Sequence, residues 1–125
     1  MSNQAVSGLR ISAYRIFVPN VSAALPFYRD TLGLRVLSVD DAGGFAVLDA
    51  GIMLILEPVG DDPDFTQRFT GISFEVPDMA EAYETLRGKG VEFDARPLVQ
   101  DWGGILAHFK DPGGNTLTIV EYPKN

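Results

Sequence analysis

One histidine, His108, and no cysteine occur in the 125 residues. Those two counts set most of the limits on chemistry. Without cysteine there is no disulfide, no thiolate nucleophile and no thiolate metal ligand. A serine or threonine nucleophile would need its own His–Asp support, and Ser12, Ser73 and Thr118 would all have to share His108. A metal cluster would have to combine His108 with Glu57, Glu75 and Glu121, and no short spacing draws these together. The glycine pairs in GGFAVLDAG and DWGGILA open strand-like text rather than a phosphate loop. What remains is acid–base or hydrogen-bonding chemistry at His108, whose charge changes near neutral pH. Glu75 and Arg15 are the charged groups to set beside it, and Trp102 offers a flat contact surface.

The elements that must position these residues are written twice. FVPNVSAALPFY runs from Phe17 to Tyr28, and 58 residues later EVPDMAEAYETL runs from Glu75 to Leu86. In the second copy Thr70, Ile72, Phe74 and Val76 alternate with Gly71, Ser73 and Glu75, the period of a half-buried strand. Asp78, with Glu81 three residues on, predicts a capped helix start. Met79, Ala82, Tyr83 and Leu86 follow as one helical stripe, and Gly88 and Gly90 stop it. In the first copy Tyr14, Ile16 and Val18 match the strand, Asn20 matches the cap, and Val21, Ala24, Leu25 and Tyr28 repeat the stripe up to Gly33. Pro26 interrupts that helix; the reading favoured is a late start near Ser22, and the alternative is a kink. Further strands are expected at Leu34–Val39, Gly44–Asp49, Ile52–Glu57, Val91–Arg96, Ile105–Phe109 and Thr116–Tyr122.

The order is β-α-β-β-β twice, an α+β fold of two tandem βαβββ modules in one domain. Module one covers about 9–57, a polar proline-bearing linker 58–68, and module two about 69–122. Each helix covers one face of a four-stranded sheet, and the other faces pair as curved sheets around a cavity. By alternation Gly71, Ser73 and Glu75 turn away from the helix, and by the repeat so do Ala13, Arg15 and Phe17. Arg15 and Glu75 either pair across the module boundary, lie at a wet rim, or orient a ligand.

Apolar residues make up 46% of the chain, enough for a core, and no run of them reaches the ~18 residues of a membrane span. Residues 1–8 lack the pattern of a secretory signal and read as a loose leader. A cytoplasmic location is expected. The net charge of −7, with basic residues scattered, argues against nucleic acid as a partner.

With FYRDTLG at Phe27–Gly33 and DPGGN at Asp111–Asn115, this order resembles the vicinal oxygen chelate superfamily of glyoxalase I, bleomycin-resistance proteins and extradiol dioxygenases. The likeness extends from about Leu9 to Tyr122. It implies an open cavity and a homodimer. In metal-dependent members the ligands come from the first and last strands of each module. Carried over, these positions fall on Ala13, Gly71 and Thr118, with the fourth at Leu54, Ile55 or Glu57. Ala and Gly offer no donor atom, and a lone Thr hydroxyl is a poor ligand. No metal and no cofactor are therefore expected.

The resemblance also implies that His108 points into the pocket, although a lone histidine is as readily a structural hydrogen-bonding residue. Trp102, before Gly103-Gly104, is placed like a Trp-Gly of bleomycin-resistance proteins beside a groove for planar rings; otherwise it closes a sheet edge or dimer seam. The expected ligand-binding residues are Arg15, Phe17, Met53, Ile55, Ser73, Glu75, Trp102, His108 and Thr118. Two functions from different classes follow. One is sequestration of an aromatic or amphipathic organic compound. The other is a lyase or isomerase, metal-free or with an altered metal, in which His108 or Glu75 acts as base. A third possibility is a filled hollow and a role for the dimer surface alone.

Overall fold

The computed structural model describes residues 5–61, 63–65 and 67–124. Strand β1 (Ala13–Val18) leads into α1 (Val21–Pro26) and a π-helical turn (Phe27–Thr31), followed by β2 (Arg35–Val39), β3 (Ala46–Asp49) and β4 (Met53–Pro58). A 3-10 turn (Pro63–Phe65) lies in the connection to module two. That module holds β5 (Phe69–Glu75), α2 (Met79–Gly88), β6 (Leu98–Val99), β7 (Ile105–Lys110) and β8 (Thr116–Glu121). The two mixed sheets have matching orders, β1-β4-β3-β2 and β5-β8-β7-β6. In each, the first strand runs parallel to the last and the other pairs are antiparallel. The α+β expectation of two βαβββ units is met, and the sheets do not close into a barrel. No helix among the described residues is long and apolar enough to cross a membrane.

Two local expectations need correction. The first helix does not start late. It begins at Val21, with the Asn20 side chain accepting from the Ala23 N–H at 2.9 Å, and carries Pro26 inside it. Proline removes one N–H and crowds the preceding turn. The helix answers by widening: the Leu32 N–H reaches back five residues to the Phe27 carbonyl at 2.9 Å. The second correction concerns Val91–Arg96, which is not a strand. Only Phe93 bridges Phe109, flanked by backbone bonds from Asp94 to His108 and from Lys110 to Glu92. The chain bends at 94–96, and Pro97, which has no N–H to donate, precedes the short β6 at Leu98–Val99. The apolar text at Val91 and Phe93 packs on the core without a regular ladder.

One core joins both modules. Ile16, Val18, Leu48, Leu54 and Leu56 from sheet one meet Phe109, Leu117 and Ile119 from sheet two, with α1 supplying Val21, the π-helical turn Tyr28, and α2 Met79 and Leu86. The two family-like motifs touch here. Buried Tyr28 donates its hydroxyl to Asp111 Oδ2 at 2.6 Å, and the Asn115 side chain donates both to that carboxylate (3.1 Å) and to the Phe17 carbonyl (2.9 Å). Asp111 Oδ1 also accepts from the Gly113 and Asn115 N–H groups. The turn that reads as local punctuation thus fastens one module to the other. Tyr14 reinforces the seam by donating to the Thr70 carbonyl.

Candidate functional site: the open sheet faces

With each helix-side face in the core, the opposite faces of the two sheets carry the predicted site residues. On sheet two, register places Ser73, Thr118 and His108 in one row across β5, β8 and β7. His108 Nδ1 and Thr118 Oγ1 share a hydrogen bond of 2.8 Å, which leaves Nε2 with no protein partner among the described residues. The Phe69 ring meets the imidazole edge-on at a centroid distance of 5.5 Å. The next row is Glu75, Val120, Leu106 and Leu98. Beyond it Trp102 lies on Gly104, so close that a Cβ there would sit 2.0 Å from the indole, and its ring is 6.0 Å from that of Tyr122. The indole stays half-exposed, at 52%. Trp102 therefore forms a flat wall on this face, as its neighbouring glycines allow.

Sheet one presents a different chemistry. Ala13 pairs with Met53, Arg15 with Ile55 and Phe17 with Glu57. Arg15 does not pair with Glu75. Its guanidinium binds Glu57 through two hydrogen bonds of 2.5 and 3.2 Å, because register sets those strands side by side while Glu75 belongs to the other sheet. This contact, led by the hydrogen bond, lowers the Glu57 pKa and raises that of Arg15. Arg15 also lies over the Phe17 ring at 5.4 Å, and Phe17 packs on Phe65 at 5.0 Å. Glu75 is exposed on its own row and lines a groove toward α2. Glu121 is engaged elsewhere, accepting from the Met79 N–H at the start of α2 at 2.7 Å.

Among the described residues, hollows of about 470, 400 and 470 Å3 open on the surface, and none of these is lined by both open rows. Within one chain the structure brings Ser73, Thr118 and His108 together on sheet two. Arg15, Phe17, Met53 and Ile55 stand apart from them on sheet one. Sequence reasoning missed Phe69 and Tyr122 as members of these clusters, and considered Glu57 as a metal ligand rather than as the partner of Arg15. The hydrophobic alternation signalled none of them, because their roles come from cross-strand neighbours.

The family model of the Glyoxalase/Bleomycin resistance protein/Dioxygenase superfamily matches residues 10–119. The chain belongs to this superfamily. Among relatives, the uncharacterized protein YraH of Bacillus subtilis (strain 168) is 26% identical over 127 residues, covering 90% of this chain and 98% of YraH. A superfamily member from Sphaerobacter thermophilus DSM 20745 is 29% identical with a TM-score of 0.80, covering 93% of this chain and 99% of that one. TnmS3, an antibiotic binding protein from Streptomyces sp. CB03234, shares the fold at 23% identity and a TM-score of 0.78, covering 96% of this chain and 100% of its own.

Glyoxalase-like metal chemistry can be tested against the residues this superfamily member carries. Register resolves the ambiguous fourth position. Thr118 pairs with Ser73, whose repeat partner is Arg15, and Arg15 pairs with Ile55. The donor set is then Ala13, Ile55, Gly71 and Thr118, with Glu57 already bound to Arg15. Among the described residues no three His, Asp or Glu side chains come together to hold an ion. The backbone disagrees as well. Gly71 has φ +78 and sits in an irregularity of the β5–β8 register, a conformation that side chains with a Cβ disfavour. These residues do not fit a divalent metal. Replacing Gly71 by His is expected to lower stability by about 1–2 kcal/mol, the cost of a left-handed angle with a Cβ, as read by urea denaturation. An unchanged midpoint would show that the strand simply flattens.

Proposed function

We propose that the chain is a small-molecule binding protein that works without the metal of its metal-dependent relatives. It holds an aromatic or amphipathic organic compound against the open sheet faces, and a second copy of the chain closes the site. A cytoplasmic setting goes with this reading. The observation that carries it is the composition of the sheet-two face: one imidazole whose Nε2 has no partner among the described residues, with Phe69 against it and, beyond the Leu106 row, Trp102 with Tyr122. Flat apolar walls around a few convergent polar groups are what organic ligands select. The dimer reading draws on apolar side chains left exposed on the open rows of both sheets in a single chain, Met53 at 41% and Leu98 at 68%. TnmS3 lends support through the fold alone.

An isomerase or lyase reading draws on the same face, where Glu75 lies one row from His108. Its oxyanion partner is weaker, because Arg15 is held by Glu57 on the other sheet.

Trp102 is the only tryptophan, so its emission reports on this face directly. Titration with bleomycin and a series of phenols is expected to give a saturable change. A flat response to every compound from folded protein overturns the binding reading. His108→Gln is expected to weaken binding about fivefold, the worth of one hydrogen bond. Loss of a turnover by the same variant favours the enzyme instead. A stoichiometric transition metal in protein purified without chelator would overturn the metal-free part.

A further inference from the structure

The hollow of about 470 Å3 beside α2 points to a second site, on the helix-covered side of sheet two where β5 forms the sheet edge, so that Glu75 of the open row also borders it. We propose that it binds a small organic cation with an apolar body. Its walls include Leu32 and Leu34 from module one, Phe74 from β5 and Val76 just after it, Leu86 from α2, and Ile119. These side chains give an apolar floor, and the volume lies within the ~300–1,000 Å3 usual for small-ligand pockets.

The repeat accounts for the space. Under the 58-residue shift Thr85 stands where copy one has Phe27. The Phe27 ring fills its side of the core, 6.3 Å from Phe109, whereas the short Thr85 side chain only borders the hollow.

Charge selects the ligand. Glu75, Asp78 and Glu81 line the hollow, and among the described residues Lys89 is its one cation. Lys89 is already occupied, its ammonium donating to the carbonyls of Asp30 and Thr31 at 3.4 and 3.2 Å. Asp78 caps the helix by accepting from the Glu81 N–H at 3.0 Å. The carboxylates of Glu75 and Glu81 meet no partner among the described residues. Two N–H groups at the start of α2, those of Met79 and Glu81, are already taken by Glu121 and Asp78. An ammonium at that rim gains two unpaired carboxylates while its hydrocarbon part covers the floor.

The test is a titration of the full chain, followed by backbone amide NMR, with phenethylammonium, neutral 2-phenylethanol and anionic phenylacetate. The expected result is saturable shifts at Val76, Glu81, Thr85 and Lys89 with phenethylammonium, and binding of 2-phenylethanol about three- to fivefold weaker, the scale of exposed charge contacts. Phenylacetate is expected to bind more weakly still. Glu75→Gln/Glu81→Gln should bring phenethylammonium to the level of the alcohol, and Thr85→Trp should fill the groove and abolish the shifts. If Thr85→Trp fails to fold, the double Gln variant decides alone. Equal binding of phenylacetate overturns the proposal, as does the absence of saturable shifts. Shifts confined to Ser73, His108 and Thr118 also overturn it, since they report the sheet face. So do groove shifts that follow protein concentration instead of ligand, which would mean that a second copy covers the groove.

Discussion

Asp111→Ala is expected to remove roughly 3–5 kcal/mol of folding free energy, the summed cost of leaving several buried donors unpaired. The Asp111 carboxylate collects four donors: the Tyr28 hydroxyl, the Asn115 side chain, and the N–H groups of Gly113 and Asn115. Asp111 and Asn115 are themselves buried, so water cannot replace the lost acceptor. Tyr28→Phe removes one of these bonds and keeps the ring, with an expected loss of about 1.5–3 kcal/mol, the range for a hydrogen bond to a charged group. Urea denaturation of both variants measures this. A change below ~0.5 kcal/mol in Asp111→Ala would mean that the turn does not fasten the modules.

The same pair gives a signature in alkali. Burial first, and the Asp111 charge second, push the Tyr28 pKa far above its ordinary value of 10.0. The folded state therefore keeps a proton that the unfolded chain sheds above that value. Its contribution is complete below pH 10 and declines as pH rises further, at about 1.4 kcal/mol per pH unit. Tyr28→Phe should lack this part of the alkaline decline. Parallel curves for the two proteins between pH 10 and 11 would show that Tyr28 ionises without resistance.

Leu98→Asp combined with Met53→Asp is expected to weaken the proposed dimer by at least about 100-fold, since a carboxylate left in an apolar contact costs several kcal/mol. Leu98 lies on the open row of sheet two and is 68% exposed; Met53 lies on that of sheet one and is 41% exposed. Both sit where a partner would bury apolar area, and neither belongs to the core of the single chain. Sedimentation velocity across a dilution series reads the change, with circular dichroism as the control for folding. The Trp102 response to ligand should fall with the dimer if a second copy completes the site. An unaltered dimer would place the interface elsewhere and leave the sheet faces as monomeric surfaces.

Much of the fold was legible because its signals are local. Period-two rows such as Ile72, Phe74 and Val76, helical stripes such as Met79, Ala82, Tyr83 and Leu86, and two capping residues fixed the element order. The 58-residue repeat then announced two units of one topology, which the matching sheet orders display. The metal argument also came from side-chain identity, as Ala13 and Gly71 carry no donor in any fold. Pro26 was misjudged because a proline in a helix admits several local solutions. The one adopted, a π turn, brings Tyr28 to a carboxylate 83 residues away. Val91–Arg96 was misjudged because apolar text beside a proline can pack on a core without forming a ladder.

The sequence by itself therefore determined the two modules, their faces, and which residue types are available for chemistry. Tertiary structure alone decided that Arg15 binds Glu57 rather than Glu75, that His108 is held by Thr118, and that the modules share one core on the helix side. The physical reason is the range of the interactions. Hydrophobic periodicity is written over a few residues, whereas a salt bridge or hydrogen bond is chosen by register and docking between segments distant in the chain.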